Sequence, residues 1–202
     1  MPWFNAEDYI VNRNPKVISK YNKIFRKGIL LDTTPLLILF LGKYDKENGT
    51  KLLEGGSLSI NEGSYNNRKL NVEDFELLRR FLTGLSHLKF EFFITPHIFT
   101  ETIQHIWKEV RNKDEFKTII DSIFKDYPFI EECHICCKKI CGNEYLQNKR
   151  LEVGDISLMI ENKKDSKAII SIDWPLISIF EKNGFLVIPF QILTTLKYTI
   201  SV

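Results

Sequence analysis

The sequence predicts an α/β protein, a three-layer α/β/α fold around a mainly parallel sheet. Three observations lead there. Short apolar runs of the buried-strand type recur at Ile29–Leu31, Lys89–Ile94, Lys167–Ile172 and Phe185–Ile188. Segments with apolar residues at helical spacing lie between them, and strands alternating with helices in this way point to parallel pairing through crossover connections.

The 202 residues suffice for one sizeable core. We expect a single domain over residues 28–202, preceded by a helical extension over residues 1–27. At 44% hydrophobic and 27% charged residues, the composition is that of an ordinary globular chain. The net charge of +2 gives a weak overall field, so nucleic acid would need a local basic patch. The longest apolar run, Leu36–Leu41, is far below the ~20 residues of a membrane span, and no membrane partner is expected. The opening Met1-Pro2-Trp3-Phe4-Asn5-Ala6-Glu7-Asp8 lacks a basic flank followed by an apolar stretch, which argues against a secretory signal and for the cytoplasm.

Residues 6 to 26 read as an amphipathic helix with Tyr9, Ile10, Val17, Ile18, Tyr21, Ile24 and Phe25 on its apolar side, stopped by Lys27-Gly28. Ile29–Leu31 is then a buried strand ended by Asp32-Thr33-Thr34-Pro35, with Pro35 suited to the first position of a helix. From Lys43 to Leu70 the chain turns to glycine, asparagine, serine and charge, an excursion of loops with room for a hairpin. Asn71 caps a helix through about His87 that carries Phe75, Leu78, Leu82 and Leu85 on one face. After the strand at residues 89–94, Thr95-Pro96 opens a helix striped by Phe99, Ile103, Ile106 and Val110. Further helices are expected at residues 114–126 and 129–147, from Gly154-Asp155 through Asn162, and over Pro175–Lys182 before Asn183-Gly184.

All four cysteines, Cys133, Cys136, Cys137 and Cys141, fall in one short segment with His134. Such spacing is poor for a disulfide framework, and a zinc site would need a distant second ligand pair. Within a helix, Cys133, Cys137 and Cys141 would instead line a buried stripe. His97, Glu101 and His105 share a helical face, a weak signal for a transition metal. Lys138, Lys139, Lys149, Arg150, Lys163, Lys164 and Lys167 flank Asp155 and are candidates either for tracking phosphates or for solvated faces.

Four acids are candidates for one crevice: Asp32, Glu101 and Asp173 close or follow apolar strand runs, where an open parallel sheet collects its chemistry, and Asp155 opens a later helix. Each also has a purely structural reading. Asp32, Asp155 and Asp173 precede or open helices and suit caps, and Glu101 lies opposite its helix's apolar stripe as a solvated residue would.

In order and spacing, Leu30-Leu31-Asp32-Thr33-Thr34, Ile94-Thr95-Pro96-His97-Ile98-Phe99-Thr100-Glu101, Gly154-Asp155-Ile156-Ser157-Leu158 and Ile170-Ser171-Ile172-Asp173 resemble the PIN-domain nucleases. The resemblance implies a metal-dependent ribonuclease. It makes Asp32 and Asp155 the principal ligands of Mg²⁺ or Mn²⁺, and Glu101 and Asp173 a further ligand or a water-orienting group. Thr33 and Ser171 then hold carboxylates or waters by hydrogen bonds. It further implies an RNA substrate, a toxin or defence role, an inhibitory protein partner and the option of a homo-oligomer. The excursion at residues 43–70, the N-terminal helix and Trp174-Pro175 depart from a compact member of that family.

The first rival is a catalytically inactive PIN-like module that binds RNA or protein. A phosphotransferase using Asp32 as covalent nucleophile would want an acid where Thr34 stands. A glycine-loop nucleotide binder would want a Gly-rich turn directly after a strand, and none follows one here.

Overall fold

The computed structural model describes residues 26–55, 59–61, 67–87, 89–110, 112–148 and 150–190. The helix expected over residues 6 to 26 lies outside them, apart from Arg26. In chain order the elements begin with β1 (Ile29–Leu31), α1 (Thr33–Asn48), α2 (Leu52–Gly55), β2 (Ser59–Asn61), β3 (Asn67–Lys69) and α3 (Val72–His87). They continue with β4 (Phe92–Ile94), α4 (Pro96–Glu109), α5 (Lys113–Asp126), β5 (Ile130–Glu132), α6 (Cys137–Cys141) and a 3₁₀ turn (Glu144–Gln147). The last are α7 (Val153–Asp165), β6 (Ala168–Ser171), α8 (Trp174–Lys182) and β7 (Val187–Pro189).

The fold is α/β, with a five-stranded sheet in the order β5-β4-β1-β6-β7 and every pairing in it parallel. Helices enclose it as a three-layer α/β/α arrangement. β1 lies at the centre, with Ile29 opposite Phe92 on one side and Ala168 on the other. A strand covered on both faces must be apolar throughout, and Ile29, Leu30 and Leu31 are all fully buried. Asp32 and Ser171 come at the carboxyl ends of the two adjoining strands β1 and β6.

α1 starts two residues earlier than Pro35 suggested and runs well into the expected excursion, ending at Gly49 in a left-handed conformation with φ 66°. Its run Leu36–Leu41 is buried on every side, as expected of a helix that is apolar all round. The remaining excursion contains α2 and an antiparallel hairpin of β2 and β3, with Ile60 opposite Arg68.

One expected helix is overturned. Residues 129–147 are not a continuous helix but the edge strand β5, a loop, the short α6 and a 3₁₀ turn. β5 is only three residues long and buries only Ile130, too little for a period-2 pattern to stand out. The buried cysteine stripe fails with it. Cys133 is buried, whereas Cys136, Cys137 and Cys141 are exposed. Ile135 and Ile140 supply the apolar contacts instead, in a small cluster with Ile156 of α7.

α7 is longer than expected, and its far end is tied to β6. The buried Lys167 ammonium reaches Asp165 Oδ2 at 2.6 Å and Glu161 Oε2 at 3.3 Å, over the Phe93 ring. Asn162 Nδ2 donates to the Lys167 carbonyl. Lys167 is therefore structural and leaves the set of candidate phosphate contacts. Lys163 and Lys164 are also ion-paired, to Glu144 and to Glu161 and Asp165.

Candidate functional site

β1 delivers Asp32 to the carboxyl edge of the sheet. Its backbone N–H still donates to the Ile170 carbonyl at 3.1 Å, which extends the β1–β6 ladder by one step. The side chain then turns into the start of α1, and Thr33 N donates to Asp32 Oδ1 at 2.7 Å. From the neighbouring strand, Ser171 Oγ donates to Asp32 Oδ2 at 2.6 Å. With only 5% of its surface exposed, Asp32 is costly to ionise, and its pKa is pushed up to about 6. Burial is the main cause, opposed by the Ser171 and Thr33 hydrogen bonds and reinforced by the charges of Asp173 and Glu152.

Glu101 comes from the second turn of α4. Thr95, fully buried, caps that helix by accepting from Ile98 N at 3.2 Å, and Pro96 occupies its first position. The Glu101 pKa rises to about 7, first through burial and then through the charges of Glu152 and Asp32. The Thr33 hydroxyl lowers it, although Thr33 Oγ1 is buried and closes no hydrogen bond of normal geometry among the described residues. Glu101 is thus not the freely solvated residue that its helical position allowed.

Asp155 arrives on α7, a helix that does not directly follow a strand, and it needs a separate tether to reach this edge. Ser157, one turn into α7, donates to the Gly154 carbonyl at 2.6 Å and shares a 2.6 Å hydrogen bond with Thr95 at the head of α4. This buried hydroxyl pair locks the first turns of α4 and α7 together. Asp155 Oδ2 accepts from Glu152 N at 2.7 Å, a reciprocal cap of the helix. Its pKa is pushed up to about 8 by burial and by the charges of Asp32, Glu101 and Glu152, against the Glu152 backbone hydrogen bond.

The charge of Asp32 therefore acts on Glu101 and Asp155, and that of Glu101 on Asp155. Asp173 is the outlier. It is exposed, and its Oδ1 caps α8 by accepting from Leu176 N at 3.3 Å. Its backbone N–H donates to Ser171 Oγ at 3.2 Å, so it touches the site through that hydroxyl and through its charge on Asp32.

Glu152 was missing from the expected set. It is exposed at the head of α7, yet its charge acts on Asp32, Glu101, Asp155 and His105. The signal that could have found it is the acid-x-x-acid spacing Glu152-Val153-Gly154-Asp155 ahead of an apolar run.

His97 and His105 do not make a second centre. The pKa of His105 is lowered by burial and then by Lys108, and His97 Nδ1 is buried without a hydrogen-bond partner among the described residues. Among the described residues, no three of His, Cys, Asp and Glu hold their donor atoms in ligating geometry.

With pKa values of about 7 and 8, Glu101 and Asp155 hold much of their charge back as bound protons near neutral pH. The causes recorded for Asp32, Glu101 and Asp155 are burial, hydrogen bonds and other acids, with no lysine or arginine among them. Protons or an added cation would relieve such a cluster. Carboxylate oxygens are the donors a hard divalent ion such as Mg²⁺ or Mn²⁺ takes, but Asp32, Glu101 and Asp155 do not stand in ligating geometry as a group of three. Compared with models of known protein families and with curated proteins, the sequence matches none.

Proposed function

We propose that the chain is a divalent-cation-dependent nuclease that hydrolyses RNA. The observation that carries this reading is the grouping of buried Asp32 with half-buried Glu101 and Asp155 at the carboxyl edge of the sheet, where Asp32 raises the pKa of both others and Glu101 that of Asp155. RNA as substrate, Mg²⁺ or Mn²⁺ as the ion, and a toxin or defence role restrained by a protein partner follow from the resemblance to PIN-domain nucleases.

Asp32 and Asp155 would hold the ion, with Glu101 beside them and Asp173 at the rim. A bound Mg²⁺ or Mn²⁺ supplies charge stabilisation for the phosphoryl group and lowers the pKa of a coordinated water. The protein's part is orientation. Ser171 and Thr33 N fix both oxygens of Asp32, and Glu152 N fixes one oxygen of Asp155. Glu101 would serve beside them as a further ligand or as a group that orients a water.

The test is cleavage of a mixed RNA pool with and without Mn²⁺, together with Mn²⁺ binding followed by electron paramagnetic resonance. Asp32→Asn and Asp155→Asn are each expected to abolish cleavage and to weaken binding at least tenfold. Cleavage that persists in chelator, or in Asp32→Asn, would overturn the assignment. Mn²⁺ or RNA binding without cleavage would instead favour the inactive binding module.

A further inference from the structure

We infer that Gly154 is a positioning residue: its missing side chain leaves the space occupied by the Glu101 carboxylate and so sets how far that carboxylate reaches into the acidic crevice. A Cβ built on Gly154 would stand 2.7 Å from Glu101 Oε2 and 2.9 Å from Ile98 Cδ1. Both neighbours belong to α4, so the contact is between helices. Nothing local calls for glycine. Gly154 is not among the residues with positive φ, and inside a helix glycine is less favourable than alanine. At Gly55 and Gly84, also helical, an added carbon would meet nothing within 4 Å. Among the described glycines, Gly154 alone would press its Cβ on a carboxylate.

The two helices cannot relieve such a clash by moving apart. Ser157 Oγ grips the Gly154 carbonyl and pairs with Thr95 Oγ1, and Thr95 in turn caps Ile98 N. The backbone on both sides of the gap is therefore held by buried hydroxyls, and a new methyl group must be accommodated by the Glu101 side chain and the tip of Ile98. To regain an ordinary 3.4 Å contact from 2.7 Å, Glu101 Oε2 must shift by about 0.7 Å or leave the crevice.

For the role of Glu101 toward a cation this inference rests on the nuclease reading, but the placement of Glu101 can be measured independently. The experiment compares the wild type with Gly154→Ala, Glu101→Asp and the double variant, by crystal structure without metal and by Mn²⁺ titration. In Gly154→Ala the carboxylate is expected to move by at least about 0.7 Å, and Mn²⁺ affinity to fall roughly tenfold. Glu101→Asp alone loses reach and weakens Mn²⁺ binding, whereas in Gly154→Ala the shorter acid clears the methyl and recovers most of the affinity. A merely structural role for Gly154 would not give that rescue. Unchanged Glu101 coordinates in Gly154→Ala overturn the inference. A shifted carboxylate in a protein whose wild type binds no Mn²⁺ sustains the positioning role and overturns the cation reading. If Gly154→Ala fails to fold, Gly154→Ala/Ile98→Val, which relieves the apolar half of the clash, must show the same displacement or the inference falls.

Discussion

Ser171 Oγ donates to Asp32 Oδ2 at 2.6 Å, joining residues 139 positions apart at the ends of two adjacent parallel strands. The same oxygen accepts from Asp173 N, so one buried hydroxyl links the central acid to the rim acid.

Ser171→Ala removes this charge-assisted hydrogen bond and is expected to cost about 1.5–3 kcal/mol at pH values where Asp32 is ionised. The Ser171 bond holds the Asp32 pKa down, so its loss moves that pKa above about 6. Thermal denaturation checks the first effect. The pH dependence of Mn²⁺ binding checks the second, with the half-saturation pH moving upward.

Asp32, Glu101 and Asp155 have folded-state pKa values of about 6, 7 and 8, against ordinary values of 3.8, 4.5 and 3.8. Between about pH 4 and pH 8 the folded state therefore binds more protons than the unfolded state, and stability falls as pH rises through that window. The metal-free protein is expected to melt at progressively lower temperature over this range. Asp155→Asn should recover on the order of 1 kcal/mol at pH 8, about 2–4 °C in Tm. Mn²⁺ should stabilise the wild type most at the alkaline end, and a melting temperature flat from pH 5 to pH 8 would contradict this charge balance.

Glu152→Gln deletes the charge that acts on Asp32, Glu101 and Asp155. The Glu101 and Asp155 midpoints, followed by carbon-detected NMR of the side-chain carboxyls, are expected to drop below about 7 and 8. Neutralising an exposed residue outside the site would leave both in place.

The cysteines give a check on β5 and α6. Cys136, Cys137 and Cys141 are exposed, while Cys133 is buried with its thiol pKa pushed up to about 11, chiefly by burial. A maleimide should label those three in the native protein within minutes and Cys133 only after unfolding, as read by mass spectrometry of the digest.

Much of the sheet was legible in the sequence because β1 and β6 are buried on both faces and so had to be written as unbroken apolar runs. β5 was not, since an edge strand with one buried residue leaves almost no pattern. Asp32 could be proposed from its place after such a run. What no spacing encodes is Ser157 meeting Thr95 across 62 positions, and it is this contact that carries Asp155 to the edge where Asp32 and Glu101 lie. Glu152 escaped for a related reason: its influence runs through space across α4 and β1, whereas its local pattern is that of a cap.

The sheet order has a consequence for biosynthesis. β1 is among the first described segments to leave the ribosome, yet it lies between β4 and β6, and Ser171 follows Asp32 by 139 residues. At translation speeds of ~5–20 residues per second, Asp32 waits about 7 to 28 s for that hydroxyl to be made. A nascent chain therefore carries an unfinished centre while those 139 residues are made, and whatever chemistry the acids perform is withheld until the polypeptide has passed the sixth strand.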